Sequence, residues 1–259
     1  MQIYFIWLFS VICFFTPIFA GTIDPSTPDQ KYIEYGKKFN YIVELCGSYN
    51  DKTLFCASAV IIEPKVIITA AHVVQNYKDC VVKLDNKIYD IELMVWPKDF
   101  NEDTFGMNDI AVGFLKNSIT LDFYPSLYDK QDELNKVCCI SGFGLTGNFT
   151  TGAIKSDLKR RAGSNIVEEI QKELLICRPS KTNENNRTSL EFLIASGDIG
   201  GGLFINGKLA GINSCVMAVG KTVKSDYKTE SGHTRVSVHR QWIIDTIKKY
   251  RSQGLTHTP

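Results

Sequence analysis

Three short segments of the sequence carry the residue types that acyl-transfer chemistry uses. They are Thr69-Ala70-Ala71-His72, Asn108-Asp109-Ile110-Ala111-Val112 and Ser196-Gly197-Asp198-Ile199-Gly200-Gly201-Gly202-Leu203. An imidazole with a pKa of about 6.5 can accept a hydroxyl proton at neutral pH, and a buried carboxylate fixes its tautomer. Glycines let a loop turn tightly enough to direct backbone N–H groups at a developing oxyanion. The sequence therefore contains the residue types from which a base, an orienting carboxylate and an oxyanion loop can be built.

In this order, the three segments resemble the chymotrypsin/trypsin family of serine proteases. Supporting matches are Cys138-Cys139-Ile140-Ser141-Gly142-Phe143-Gly144, Leu209-Ala210-Gly211-Ile212-Asn213-Ser214, and Thr234-Arg235-Val236-Ser237 leading into Trp242-Ile243, so the similarity runs from about Phe39 to Tyr250. The resemblance implies an all-β fold of two six-stranded antiparallel β-barrels with a C-terminal helix. It makes His72 the base, Asp109 its orienting partner, and Gly197, Asp198 and Ile199 the oxyanion loop.

Ile199 stands where the resemblance places the nucleophilic serine. Isoleucine has no lone pair to attack a carbonyl and no proton for His72 to remove. Loss of the nucleophile in an unrelated protease lowers turnover about a millionfold. The sequence therefore predicts an inactive homologue that retains His72 and Asp109 as a hydrogen-bonded pair. The alternative is an active endopeptidase whose nucleophile is displaced, for example to Ser196.

The family that the sequence resembles has an activation step whose sequence motif is missing here. Active members are usually produced by cleavage before an Ile-Val-Gly-Gly-like sequence, whose new ammonium pairs with the aspartate of the nucleophile loop. That motif does not occur between Gly21 and Phe39. We therefore expect Asp198 to lack this partner, to be unpaired or held by a local donor, and the oxyanion loop to resemble that of a zymogen.

The specificity pocket implied by the resemblance comprises Leu193, Ser214, Cys215 and Val216. Leu193 occupies the floor, where an aspartate would select basic side chains, so a basic preference is not expected. Cys215 and Val216 stand where the family commonly has tryptophan and glycine, and they would narrow the entrance. The apolar residues Leu193, Ile194, Ala195 and Ile199 either extend the core or form an apolar surface for a partner.

The cysteines do not reproduce the pattern that the resemblance implies. Removal of Cys13 with a leader would leave seven of the eight, so at least one would lack an intramolecular partner. The familiar bridges cannot form: Val73 and Ile205 replace two partners, and no cysteine precedes Cys177 at the usual place. A bridge among Cys46, Cys56 and Cys80 is plausible. No close-spaced cysteine–histidine cluster suggests a metal, and we expect no cofactor.

The N-terminal segment has the pattern of an export signal. Residues Ile3 to Phe15 are apolar except for Ser10, and Ala20 precedes a plausible cleavage point before Gly21. We therefore expect a signal peptide over 1–20 and a secreted protein, although the segment could remain as a membrane anchor. The Asn148 and Asn186 sequons predict glycosylated surface loops, unless these tripeptides are accidental.

Short β-type runs separated by turn residues dominate the sequence from Phe39 onward. They cover Tyr41–Leu45, Ser58–Ile62, Val66–Thr69, Cys80–Leu84, Ile88–Trp96, Ile110–Leu115, Val137–Ser141, Leu203–Ile205 and Leu209–Asn213. Turns are predicted at Asn50-Asp51 and Asn206-Gly207.

The predicted organisation is one protease-homologue domain over 21–250, with barrels at about 39–130 and 135–237. Helical spacing is found over Ile166–Leu175 and again over Val238–Tyr250, where we expect a helix on the second barrel. Residues 251–259 are expected to fray. Lys155, Lys159, Arg160 and Arg161 form a basic cluster, either a solvated loop or a binding patch.

Composition and motifs together predict a secreted protein that works by binding. The formal charge of +1 over 259 residues disfavours a nucleic-acid partner. The expected partner is a protein, such as an active protease, a zymogen or a protease inhibitor, with no membrane contact after signal cleavage. A regulator, cofactor or decoy in an extracellular proteolytic cascade fits this pattern. The alternatives are an active endopeptidase, a passive structural or storage role, and an effector delivered in saliva or venom.

Overall fold

The computed structural model describes residues 21–104, 106–155, 157–181, 183–218 and 225–253. Within them the strands are β1 (Thr22–Ile23), β2 (Ile42–Tyr49), β3 (Leu54–Glu63), β4 (Val66–Thr69), β5 (Tyr77–Leu84), β6 (Lys87–Val95), β7 (Ala111–Leu115), β8 (Val137–Gly142), β9 (Thr146–Asn148), β10 (Gly152–Lys155), β11 (Arg161–Ile166), β12 (Glu169–Gln171), β13 (Leu174–Cys177), β14 (Phe192–Leu193), β15 (Gly202–Ile205), β16 (Lys208–Ala218) and β17 (Thr229–Arg235). The helices are α1 (Asp29–Gly36), α2 (Ala71–Val74) and α3 (Val236–Ser252). The predicted signal peptide lies outside the described residues, as does most of the predicted frayed tail.

The first half of the chain forms the predicted barrel. Strands β2 to β7 close in the order β2-β3-β4-β7-β6-β5. Branched apolar residues such as Ile42, Val60 and Ile68 fill its interior and are fully buried. Lys52 has a φ of 71° in the turn between β2 and β3, where the sequence predicted a hairpin. The barrel brings the end of β4 and the start of β7 side by side, since Thr69 pairs with Ala111.

The second half of the chain, together with β1, forms the remaining sheets of the fold. Its main sheet has seven strands in the order β11-β8-β15-β16-β17-β13-β12, beside a four-stranded sheet ordered β10-β9-β1-β14. In the described residues, β11 and β12 are edge strands that do not pair with each other. The predicted turn at Asn206-Gly207 is confirmed, because both residues have positive φ between β15 and β16.

The predicted helix over Ile166–Leu175 is wrong, because this segment contains β12 and the start of β13. Lys172 has a φ of 54° and turns the chain, so that Glu169 pairs with Ile176 across a hairpin. Strand β13 also pairs with β17 and buries Leu175 completely. Backbone pairing on both sides of β13, together with burial, outweighs the local helical spacing.

The two longer helices show what local pattern can and cannot predict. The predicted C-terminal helix is confirmed and extends over Val236–Ser252. It contacts β7 as well as β16, and the Tyr250 ring stacks on Phe114 with centroids 3.6 Å apart, so it packs on the first barrel and not on the second alone. Helix α1 was not predicted, because its eight residues are too few for a clear apolar period.

One disulfide joins Cys46 to Cys56 across β2 and β3. This confirms the expected bridge within the early trio of cysteines. The bridge crosses the hairpin directly, because the two residues are paired in the strand register. None of the helices in the described residues is long and apolar enough to span a membrane.

Arg161 differs from the other residues of the basic cluster, because its buried side chain has a structural role. Its side chain is 3% exposed and binds Asp29 of α1 and Asp157 through bonds of 2.7–2.8 Å. We expect Arg161→Ala to lower the free energy of unfolding by about 2–3 kcal/mol, because it leaves two carboxylates without their cation. The loss is no larger because both carboxylates are partly exposed and regain contact with water. Urea unfolding measures this. Lys159→Ala is the control, and equal effects of the two substitutions would contradict the assignment.

Candidate functional site

His72 and Asp109 meet where β4 and β7 end. His72 lies in the one-turn helix α2 directly after β4, and Asp109 precedes β7. His72 Nδ1 is 2.8 Å from Asp109 Oδ2, and the His72 backbone N–H donates to Oδ1 at 2.9 Å. The Ser214 hydroxyl also donates to Oδ2, at 2.6 Å. The carboxylate therefore fixes the position of the imidazole and of its backbone.

The pair is electrostatically stabilised in its charged form. The Asp109 side chain is 4% exposed. Burial alone would raise its pKa, but the bonds from His72 and Ser214 hold the pKa below its ordinary value. Partial burial of His72 opposes protonation, yet the hydrogen bond and charge of Asp109 outweigh it and raise the pKa of His72. The site retains the electrostatics of a general base.

We expect His72 to titrate above its ordinary pKa of about 6.5 in an NMR titration of the imidazole resonances. Because the folded pKa is raised, the stabilisation from this pair is complete below the unfolded pKa. It is lost as pH rises through the folded pKa. Asp109→Asn, which keeps the shape and removes the charge, should lower the His72 pKa. Titration of the wild-type ring at or below about 6.5 would contradict the pairing.

The glycine-rich loop is held against the first barrel. The Ser58 N–H donates to the Ile199 carbonyl at 2.8 Å, and the Ser58 hydroxyl donates to the Gly197 carbonyl at 2.7 Å. Gly200 has a φ of 83°, and a Cβ there would lie 2.1 Å from both the Ser58 carbonyl and Thr69 Oγ1. Only glycine fits this approach. Sequence reasoning missed the role of Ser58, whose only signal was its place at the start of the predicted strand Ser58–Ile62.

Ile199 is partly buried at the junction of the two halves, where it packs against the apolar clusters of both. Among the described residues, the backbone amides of Gly197 and Ile199 donate to no protein acceptor. These amides are the pair that the resemblance assigns to the oxyanion site. The loop thus leaves two donors free for a ligand, while the side chain between them is an inert hydrocarbon.

Asp198 is held by local backbone donors, one of the two expected arrangements, and Gly21 of the N-terminal segment also lies against its carboxylate. Its Oδ1 accepts the Gly144 N–H at 2.8 Å and its Oδ2 accepts the Ala195 N–H at 3.2 Å. The Gly21 N–H also bonds to this carboxylate. A Cβ on Gly21 would lie 2.3 Å from Phe192 Cζ and 2.8 Å from Asp198 Oδ2, so the site requires glycine. Burial raises the pKa of Asp198 to about 7 despite these bonds.

The predicted specificity residues are divided between core and cleft. Leu193 is fully buried on β14 and pairs with Thr22, and Cys215 packs with Leu174, Ile176 and Met217. Ser214 and Cys215 line a cavity of about 140 Å³ that also includes His72 and Asp109. Val216 is partly buried on β16. A second cavity of about 420 Å³ also borders His72 and is lined by Asp51 and Glu102.

The two sequon asparagines lie on surface segments. Asn148 ends β9 and accepts the N–H groups of Thr150 and Thr151 at 2.9 Å each. Asn186 is exposed, and its amide nitrogen donates to Glu168 at 2.7 Å. Both asparagines lie at the surface, as glycosylation requires, and their glycosylation stays a prediction.

A closed six-stranded barrel, a second antiparallel sheet and a His–Asp pair at their junction define a chymotrypsin-like fold. Residues 34–243 match the trypsin family model, so the chain belongs to the trypsin family. The structure is similar to HL collagenase, with 19% identity, a TM-score of 0.65, and coverage of 81% of this chain and 94% of that one. It is also similar to neuropsin of mouse brain, with 16% identity, a TM-score of 0.61, and coverage of 81% and 95%. No curated protein sequence matches significantly.

Proposed function

We propose that this trypsin-family protein is non-catalytic and acts outside the cell by binding another protein. A regulator, cofactor or decoy in a proteolytic cascade is the role that fits best. The proposal is carried by Ile199, which stands where the family resemblance places the nucleophile, together with the retained His72–Asp109 pair. Acyl transfer needs a nucleophile at this position, and an isoleucine side chain cannot become one.

The arrangement of hydroxyl groups around His72 supports the proposal. In the described part of the chain, no serine or threonine hydroxyl bonds to the His72 ring, and Ser196 bonds to neither His72 nor Asp109. Ser214 donates to the carboxylate and not to the imidazole. A displaced nucleophile would need to reach the free nitrogen of His72 within hydrogen-bond distance during catalysis.

An extracellular role is consistent with three features. Trypsin-like domains with disulfides are typically secreted, and this domain contains the Cys46–Cys56 disulfide. The leader pattern before Gly21 and the two surface sequons agree with export. The proposed partner is an active protease, a zymogen or a protease inhibitor, because a retained protease surface can still be recognised after its chemistry is lost.

The test is affinity capture with the tagged mature protein in the fluid into which its own tissue secretes it. Each captured protein is then purified and titrated against the wild-type protein and a His72→Ala variant. We expect saturable binding of a protease, zymogen or inhibitor that His72→Ala leaves intact. Failure to bind any such component, or cleavage of a captured protein that depends on His72, would contradict the proposal.

A further inference from the structure

A second surface, away from the His72 cleft, has the charge and shape of a peptide-binding site. It is a groove of about 600 Å³ between α1, the β5–β6 turn and the segment before β11. We call it the basic groove. Its basic side chains are Lys37, Lys83, Lys87, Lys159 and Arg160. None of the residues that line it borders the two cavities beside His72.

Positive charge is concentrated in this groove, although the whole chain carries a formal charge of only +1. Glu44 and Asp85 are the acidic residues among those lining it, against five cations. Lys37 is already paired with Glu34 outside the groove. In the described residues, Lys83, Lys87 and Lys159 form no ion pair and are exposed. These three lysines therefore provide a field that attracts an acidic ligand.

Arg160 gives the groove a fixed basic centre. Its Nε donates to the Ile42 carbonyl at 3.0 Å, and its guanidinium lies 4.9 Å from the centroid of the Phe143 ring. These contacts limit the freedom of the side chain, so less conformational entropy is lost on binding. Two members of the basic cluster noted in the sequence, Lys159 and Arg160, thus lie in the groove, while Arg161 is buried elsewhere in ion pairs.

The groove also exposes large aliphatic side chains to water, which is energetically unfavourable. Ile88 is 66% exposed on β6 and Leu158 is 63% exposed on the segment before β11. Both line the groove together with Phe143. Leu158 has a φ of 54°, an uncommon conformation for a bulky residue. Apolar contacts beside free lysines match a peptide with alternating acidic and apolar residues better than a fully hydrophilic polyanion.

We infer that the basic groove binds an extended acidic segment of a partner protein, with an apolar side chain of that segment seated against Ile88 and Leu158. This inference deepens the proposed binding function and rests on it, because it names the chemistry of the partner. The lysines attract and orient the segment, and the aliphatic residues distinguish it from other polyanions.

The test uses arrayed acidic peptides of about ten residues in which one leucine or phenylalanine moves through every position. Selected peptides are titrated by fluorescence anisotropy. We expect Kd values on the order of 10 μM that rise with salt from about 50 to 300 mM. Lys83→Glu with Lys87→Glu should weaken binding by about tenfold or more, and Ile88→Ser by several-fold. Circular dichroism verifies folding.

Matched controls distinguish the effect of the groove lysines on binding from the effect of the net charge of the protein. Lys65→Glu with Lys130→Glu changes the net charge equally on exposed lysines outside the groove and should leave Kd within about twofold. An all-acidic peptide and a sulfated oligosaccharide test a polyanion site. Equal or tighter binding of these, unaffected by Ile88→Ser, would overturn the inference, as would no selective binding on the array. The proposed function is judged separately, by nucleophile labelling and capture.

A different observation supports a second inference, a disulfide outside the pattern of the family. The sulfur atoms of Cys138 on β8 and Cys177 on β13 are 3.9 Å apart, and both residues are buried. The sulfur atoms of a disulfide are about 2.05 Å apart, so oxidation must bring these two sulfurs about 2 Å closer together. We propose that these cysteines are oxidised to a bridge during folding. Two thiols lose two protons and two electrons, and a protein disulfide donor of the secretory pathway is reduced to its dithiol.

Peptide mapping of the alkylated, unreduced secreted protein tests this bridge. We expect a linked pair of peptides containing Cys138 and Cys177, in addition to the Cys46–Cys56 pair. Cys139 is adjacent, and its sulfur contacts the Tyr35 hydroxyl at 2.9 Å, so the identity of the linked cysteine must be resolved. Cys139→Ser should keep the linked pair and Cys138→Ser should lose it. Alkylation of both Cys138 and Cys177 in the wild-type protein would overturn the inference.

Discussion

The Ile199→Ser variant is expected to hydrolyse an activated ester at least roughly a thousandfold faster than the wild-type protein. Loss of the nucleophile in an established serine protease costs about a millionfold, and part of that loss should be recovered where the other groups remain. Those groups are present: His72 is held by Asp109, and the amides of Gly197 and Ile199 are free. Stopped-flow hydrolysis of 4-nitrophenyl esters measures the rate.

Two control variants assign the recovered rate to the introduced serine. Ile199→Ala removes the same apolar packing without adding a hydroxyl, so it should remain as slow as wild type. Adding His72→Ala to Ile199→Ser should remove most of the gain, because the hydroxyl then has no base. A folded Ile199→Ser variant that shows no gain would contradict the claim that the loop preserves an oxyanion site.

The second large effect concerns the N-terminal amine. We expect protein that begins with a free amine at Gly21 to be more stable than the same protein acetylated at Gly21, by about 2–4 kcal/mol near neutral pH. The reason is that Gly21 lies against Asp198, which is 1% exposed and has no basic side chain bonded to it in the described residues. An ammonium group there would neutralise a buried carboxylate. Chemical denaturation of the two forms measures the difference.

The pH dependence of the acetylated form follows from the raised pKa of Asp198, about 7. The folded state prefers the protonated acid, so stability falls as pH rises from about 4 to about 7, by up to roughly 4 kcal/mol. The free amine should flatten this fall. Asp198→Asn removes the charge and should make the acetylated and free forms equally stable. A difference that persists in Asp198→Asn, or no difference in wild type, would contradict the pairing.

Local sequence was sufficient for much of the first barrel and for the order of the site segments. The predicted strand Val66–Thr69 is β4 with the same bounds, and the turn at Asn206-Gly207 requires the positive φ values that asparagine and glycine tolerate. The Cys46–Cys56 bridge lies within the trio of early cysteines that the sequence indicated, although the sequence left the pairing among them open. In each case the information lies within a few residues of the feature.

Features that depend on distant parts of the chain could not be predicted. Gly21 meets Asp198 because β1 pairs with β9 and β14 in one sheet. The sequence showed only that the activation motif is missing, and it gave no sign that Gly21 would lie against Asp198. The segment Ile166–Leu175 has helical spacing, yet pairing with β17 makes part of it a strand. The basic groove assembles Lys83, Lys87 and Arg160 from separate segments.

The most direct test of the central claim is exposure of the wild-type mature protein to a fluorophosphonate probe, followed by intact-mass analysis. This probe forms a covalent bond with an activated serine, so it reports the nucleophile and not the substrate preference. The account predicts no adduct on the wild-type protein and an adduct on Ile199→Ser that requires His72. An adduct on the wild-type protein that His72→Ala abolishes would show a working nucleophile elsewhere and contradict the account.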